Sequence, residues 1–126
     1  MTHPFPLRVY YEDTDLAVIV YYAHYLKFIE RARSALVRVL FVDLVAMKAD
    51  GIVFAVRRVE ADYIAPAHYD DELVVDTSVD KLTGARLVVR QVVRRADQVL
   101  FDALVTIVAI GAAGKPARLP AAIRRN

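Results

Sequence analysis

The chain is predicted to be an α+β protein in which a long central helix is wrapped by a curved antiparallel sheet of about five strands. Three observations carry that prediction. One strand-like segment precedes a long helical one, and nearly everything after them alternates like sheet. No strand–helix repeat follows, so a doubly wound parallel sheet is not expected. The helical segment is apolar over a wide arc, as a helix surrounded by sheet must be. At 126 residues the chain has the size of one domain, residues 1–126, and can bury a core without staples.

Each element follows from its local pattern. Residues 7–12 alternate and are rich in Val and Tyr, which predicts a strand. Asp13-Thr14-Asp15 breaks that pattern. From Tyr21 the period changes. Tyr21, Tyr25, Phe28, Ile29, Ala32, Leu36, Val39 and Leu40 fall at three- and four-residue spacings on one helical face, and Lys27, Glu30, Arg31, Ser34 and Arg38 solvate the remainder. Asp43 reads as the N-cap of a short second helix over residues 44–49, with Gly51 as its stop. Residues 52–64 read as a long strand, 66–71 as a turn and 72–81 as a strand. Thr83-Gly84 is a hairpin turn. Residues 86–95 and 99–110 are two further strands parted by a turn at Asp97-Gln98. Residues 111–114 leave the sheet, and 119–126 form a tail with one helical turn. The later strands are expected to pair in antiparallel succession.

Composition narrows the function. There is no cysteine, which excludes disulfides, thiolate nucleophiles and Cys-based metal sites and fits a reducing compartment. The apolar fraction is 57% and the mean hydropathy +0.34, above the roughly 45–50% of ordinary soluble domains. No apolar run approaches the ~20 residues a bilayer span needs; the best candidate, 36–47, is interrupted by Arg38 and Asp43. The opening Met1-Thr2-His3-Pro4-Phe5-Pro6 lacks the charge and the apolar stretch of a signal peptide, so a cytoplasmic location is expected. A buried subunit interface is the simplest place for the apolar excess, which predicts an oligomer. A net charge of +2 is too mild to argue for nucleic acid. The basic residues do cluster late, at Arg86, Arg90, Arg94, Arg95, Lys115, Arg118, Arg124 and Arg125. They read first as solvated strand faces and a tail, and second as a site for a phosphate-bearing ligand.

The chain has no nucleophile elbow, phosphate loop or dinucleotide fingerprint. His3, His24 and His68 are scattered and none stands at metal-ligand spacing, so neither a metal nor a cofactor is expected. His68 reads as an exposed loop residue. His24, in the first helical turn, reads as a surface or pocket-rim residue ahead of a catalytic one. Glu12, Asp13 and Asp15 together are more informative. Aspartates at a strand–helix junction are ordinarily turn-formers and caps. They also set a carboxylate beside a helix N-terminus, where backbone N–H groups are unpaired and the dipole is positive. Such donors can hold the oxygen of a carbonyl under attack.

The stretch Val9-Tyr10-Tyr11-Glu12-Asp13-Thr14-Asp15, then Val20-Tyr21, then Tyr25-Leu26-Lys27-Phe28 and Glu30-Arg31-Ala32-Arg33 closely resembles the hotdog-fold acyl-CoA thioesterases. The branch is the one related to 4-hydroxybenzoyl-CoA thioesterase and found with the Tol–Pal system. Tyr63-Ile64-Ala65-Pro66-Ala67-His68-Tyr69-Asp70-Asp71-Glu72-Leu73 and Arg118-Leu119-Pro120 are similar to the same branch, so the match spans nearly the whole chain. The resemblance implies a hotdog fold, protomers paired sheet edge to sheet edge as a homodimer or homotetramer, and a pocket between protomers. It implies that Asp15 is the catalytic carboxylate, attacking the thioester or activating water, and that the Tyr22 backbone N–H polarises the thioester carbonyl. Lys81 and Arg86, flanking the Thr83-Gly84 turn, are the candidates for coenzyme A phosphate contact. The substrate would be a small or medium acyl-CoA or an acyl carrier protein ester.

The chain also departs from that branch. Tyr22 stands where His is frequent, which a backbone role tolerates. His24 stands where Asn is usual and would alter the pocket rim. Val18 stands where Gly is general, and a β-branched residue is strained there if φ is positive. Phe41 stands near the helix end, where Gly would stop it. A catalytically impaired acyl-CoA-binding protein is therefore the alternative to a thioesterase. A dehydratase acting on acyl carrier protein substrates would need a His paired with an acid, for which His24 is the one nearby histidine.

Overall fold

An antiparallel six-stranded sheet curls around one long helix in the computed structural model, which describes residues 2–40 and 44–124. The elements run β1 (Thr2–Arg8), a 3-10 turn (Tyr11–Asp13), α1 (His24–Val39), α2 (Leu44–Ala49), β2 (Val53–Tyr63), β3 (Glu72–Leu82), β4 (Arg86–Arg95), β5 (Gln98–Ile110), a second 3-10 turn (Ala112–Gly114), β6 (Pro116–Ala117) and α3 (Ala121–Arg124). The strand order is β1-β3-β4-β5-β2, with β6 on β5. This is the hotdog arrangement.

α1 forms because its sixteen residues are dominated by Leu, Ala, Arg, Glu and Lys, all good helix formers. It buries Tyr25, Phe28, Ile29, Ala32 and Leu36. The predicted stripe is right through the helix middle; at its start the helix begins only at His24, leaving Tyr21 exposed in the loop before it, and at its end Val39 is exposed. Facing it, β3 contributes Leu73 and Val75, β4 Leu87, Val89 and Val93, and β5 Phe101, Ala103 and Val105. These positions alternate along each strand, as a sheet with one face on the core requires. Register shifts at Val56/Arg58, Val79/Lys81 and Val93/Arg94 bend three strands, which is how bulges curve a sheet.

One polar network crosses this core. Gln91 is fully buried. Its Nε2 donates to the Ile29 carbonyl at 2.8 Å and to Thr77 Oγ1 at 3.0 Å, and its Oε1 accepts from Arg33 Nη1 at 2.9 Å. The Arg33 guanidinium is held below its ordinary pKa by burial, which the charge of Glu30 only partly offsets.

Three expectations need correction. The first strand ends at Arg8 and begins at Thr2, so residues 9–12 are not strand. Pro4 and Pro6 argue against an interior strand, but β1 is an edge strand on β3, where a missing N–H is tolerated. The strands do not pair in simple succession either. β2 lies at the far edge on β5, and the 64–71 loop carries the chain back across to β3. Its buried Ala67 ties that loop to the helix, donating its N–H to Tyr25 Oη and accepting from Val20 N–H. Finally, nothing in the sequence signals the two-residue strand β6, which is too short for any period to show. The Asp43 cap and Phe41 lie outside the described residues. Among the described residues no helix is long and apolar enough to cross a membrane.

Candidate active site

The loop between the first 3-10 turn and α1 is built from three interlocking hydrogen-bond sets. Asp15 N–H donates to the Ile19 carbonyl at 3.0 Å, and Val18 N–H donates to the Asp15 carbonyl at 2.9 Å. The Asp15 carboxylate joins in, with Oδ1 accepting from Ala17 N–H at 2.9 Å. This Asx-type turn occupies one carboxylate oxygen and leaves the other without a partner among the described residues. Thr14 and Val20 bridge the base of the turn, and Ile19 bridges to His68.

Val18 closes the turn with φ +61°. That is the left-handed region, where a β-branched side chain costs about 1–2 kcal/mol. The glycine expected at this position thus has a backbone reason, and the valine is held there by its neighbours: its carbonyl accepts from Tyr69 N–H at 3.2 Å.

Tyr21 and Tyr22 follow. Tyr21 N–H donates to the Asp13 carbonyl at 2.9 Å. The Tyr22 carbonyl accepts from Tyr63 Oη at 2.9 Å, which fixes the peptide against the end of β2. Among the described residues the Tyr22 N–H has no acceptor. The Tyr21 phenol is pushed above its ordinary pKa by its hydrogen bond to Tyr22, by the charge of that neighbour, and then by burial and the negative charge of Asp15. Asp15 therefore stands in electrostatic reach of the segment that opens α1. The helix start itself is anchored by aromatics: Tyr25 stacks on Phe101 at 4.8 Å and 11°, and Tyr63 meets both edge-on.

Asp13 is the one fully buried charged side chain among the described residues, 3% exposed. Its Oδ2 accepts from Tyr10 N–H at 2.8 Å, and its Oδ1 pairs with His24 Nδ1 at 3.1 Å. Both acids thus do the capping that short polar side chains do at turns, with a free carboxylate oxygen remaining on Asp15 alone.

Of the residues singled out in the sequence, Asp15, Val18, Tyr22 and His24 gather at this one end of α1. Lys81 and Arg86 do not join them. They flank the β3–β4 turn, where Arg86 lies opposite Val108, whereas Tyr63 at the site lies opposite Phe101. The interval from 101 to 108 on β5 is about 24 Å of strand. Neither Lys81 nor Arg86 has a carboxylate partner among the described residues. Arg118 packs its guanidinium over Gly84 at the same turn. Tyr63 and the Asp13–His24 pair were not legible as site features, because no local spacing joins residues 41 or 11 positions apart. Among the described residues no three His, Asp or Glu side chains could hold a metal ion. An apolar cavity of about 460 Å³ lies along the other half of α1, between Arg33, Val37, Met47, Phe54 and Ile123. In a single chain Asp15 and Tyr22 are open to solvent.

Fold and loop together set an exposed carboxylate and an N–H without a partner among the described residues at one end of α1 on a hotdog scaffold, and the scaffold is shared with known proteins. Residues 18–113 match the thioesterase superfamily. The chain is 38% identical over 120 residues to the acyl-CoA thioester hydrolase YbgC of Escherichia coli, covering 94% of this chain and 90% of that one. It is 38% identical over 107 residues to the acyl-CoA thioesterase YbgC of Haemophilus influenzae, covering 84% and 79%. A probable thioesterase from Bartonella henselae superposes with a TM-score of 0.90 at 35% identity, covering 95% of this chain and all of that one. The chain belongs to the thioesterase superfamily, in its hotdog-fold acyl-CoA thioesterase branch.

Proposed function

We propose that this chain is one thioesterase domain that hydrolyses the thioester of small or medium acyl-CoAs, with Asp15 as the catalytic carboxylate and the Tyr22 N–H as the oxyanion donor. The free oxygen of Asp15 and the Tyr22 N–H without an acceptor among the described residues, both on the short loop that opens α1, are the observation that carries this reading. A thioester has a good leaving group, so its hydrolysis needs a positioned carboxylate and an oxyanion site more than an acid. Asp15 attacks the carbonyl carbon or activates water, and the carbonyl oxygen gains negative charge where the Tyr22 N–H meets it. The Tyr63 hydroxyl bonds the carbonyl of the same residue, in the next peptide unit, and so helps to hold Tyr22 in place.

A second copy of the chain completes the site in this reading. β2 ends the sheet, and none of its eleven positions is buried. Val53, Val56, Val59 and Tyr63 are exposed along it. A long strand edge with exposed apolar residues favours pairing, and pairing there would cover the open side of Asp15 and Tyr22. Lys81 and Arg86 would then meet the phosphates of a coenzyme A bound across two protomers. Replacing both with Ala raises KM for acyl-CoA but not for an acyl-pantetheine lacking those phosphates.

The test is release of free thiol from a panel of acyl-CoAs of different length and aromaticity. Turnover supports the reading, and binding without turnover overturns it. The latter outcome favours the impaired binding protein, which the positive φ of Val18 supports, and in that case Val18→Gly restores turnover.

A further inference from the structure

We infer that His24, oriented by buried Asp13, is a second proton-transfer residue of this site, taking the proton of the hydrolytic water at Nε2. The inference rests on the thioesterase reading above and assigns its second step. A carboxylate accepts hydrogen bonds and does not donate them. Because Asp13 Oδ1 lies 3.1 Å from His24 Nδ1, a neutral imidazole here carries its proton on Nδ1 and its lone pair on Nε2. No group among the described residues bonds Nε2, and it is not a buried orphan, since the His24 side chain is 21% exposed. The ring is thus locked at one nitrogen and open at the other. That is the arrangement of an acid–base histidine held in one tautomer.

The anchor is stiff. Asp13 binds Tyr10 N–H with its second oxygen and Tyr21 N–H with its carbonyl, so it ties the 3-10 turn, the loop and the first residue of α1 together. The titratable groups facing the imidazole are Asp13 from the 3-10 turn and Tyr21 from the loop with its ring 6.2 Å away; Asp15 on the same loop acts on Tyr21 by its charge. Lys27 follows one turn later on α1.

With a base present at His24, Asp15 is left as the nucleophile. Its free oxygen bonds to the carbonyl carbon, the C–S bond breaks, and coenzyme A leaves as the thiolate. Water then attacks the mixed anhydride, and its proton passes to His24 Nε2. The bond to Asp15 breaks and regenerates the carboxylate, and the imidazolium returns its proton to the thiolate or to solvent. A general base of this kind is worth about 10²–10⁴ in rate.

The experiment is the pH dependence of kcat for acyl-CoA hydrolysis by the wild type, His24→Asn and Asp13→Asn, each checked by thermal melting. Wild-type kcat should show an acidic limb that depends on His24. His24→Asn, whose amide can still bond Asp13, should lose about 10²-fold in kcat with little change in KM, and the limb should move to lower pH, because Asp15 must still be a carboxylate to attack. Asp13→Asn can donate to Nδ1, which forces the proton to Nε2, and should cost a comparable factor. Nitrogen-15 NMR of the wild-type imidazole should show the Nδ1–H tautomer. An Nε2–H tautomer, or an active wild type whose acidic limb is unmoved by His24→Asn, overturns this inference alone. A wild type without turnover overturns the thioesterase reading and this step with it.

Discussion

The middle of α1 and the loop that leads into it obey opposite rules. Between Phe28 and Leu36 the helix is a regular amphipath on an alternating sheet, and the polar pair buried there, Gln91 and Thr77, is hydrogen-bonded, Gln91 at both its amide nitrogen and its oxygen. Between Asp13 and His24 there is a buried carboxylate, a valine at positive φ, an N–H without an acceptor among the described residues, and exposed tyrosines. The first region is where local propensity, pattern and packing agree. The second departs from them, and such departures concentrate at functional sites. The core fixes where the loop sits, through Tyr25, Phe101 and Tyr63.

That contrast can be broken by substitution. Phe28→Ala, in the fully buried middle of the helix, should cost about 3–5 kcal/mol in chemical denaturation. A loss below 1 kcal/mol would mean the helix does not anchor the fold. Gln91→Leu should cost about 2–3 kcal/mol, because it strands Arg33, the Ile29 carbonyl and Thr77 Oγ1 in a buried setting; a stabilised variant would show that the network opposes folding. Val18→Gly should act in the other direction. It relieves the left-handed strain at the expense of backbone entropy, for a gain of about 1 kcal/mol, seen as a higher melting temperature. A lower one would show that the valine side chain earns its place by packing.

The smallest effect is an acid limb on stability from the 64–71 loop. Burial pushes the Asp71 carboxyl up, but the His68 N–H at 2.8 Å and the Arg95 guanidinium at 2.6 Å outweigh it and hold its pKa below the ordinary 3.8. A lowered folded-state pKa means that the stabilisation is complete above the ordinary carboxylate range. It is lost as pH falls through the lowered value. Arg95→Met should remove part of that acid dependence, read as a flatter melting temperature between pH 5 and pH 2 (about the window that linkage predicts).

The same division decides what the sequence discloses. The face of α1, and β3, β4 and β5, are visible because each is long and periodic and packs one face on the core. The Asp15 turn is visible as a run of acids, and the strain at Val18 as a missing glycine. The path of β2 to the far edge is not visible, because a strand's period says which face is buried and nothing of its neighbour. β1 escapes because its prolines lie on an edge. The Asp13–His24 pair escapes because a loop must fold before eleven residues collapse to 3.1 Å.

The central claim is that the Asp15 carboxylate does the chemistry beside the Tyr22 N–H. Its most direct measurement is thiol release by Asp15→Asn set against the melting temperature and oligomeric state of the same variant. Turnover at least ~10²–10³-fold below wild type, with both other properties intact, is the predicted result. Undiminished turnover in a folded Asp15→Asn enzyme would contradict it.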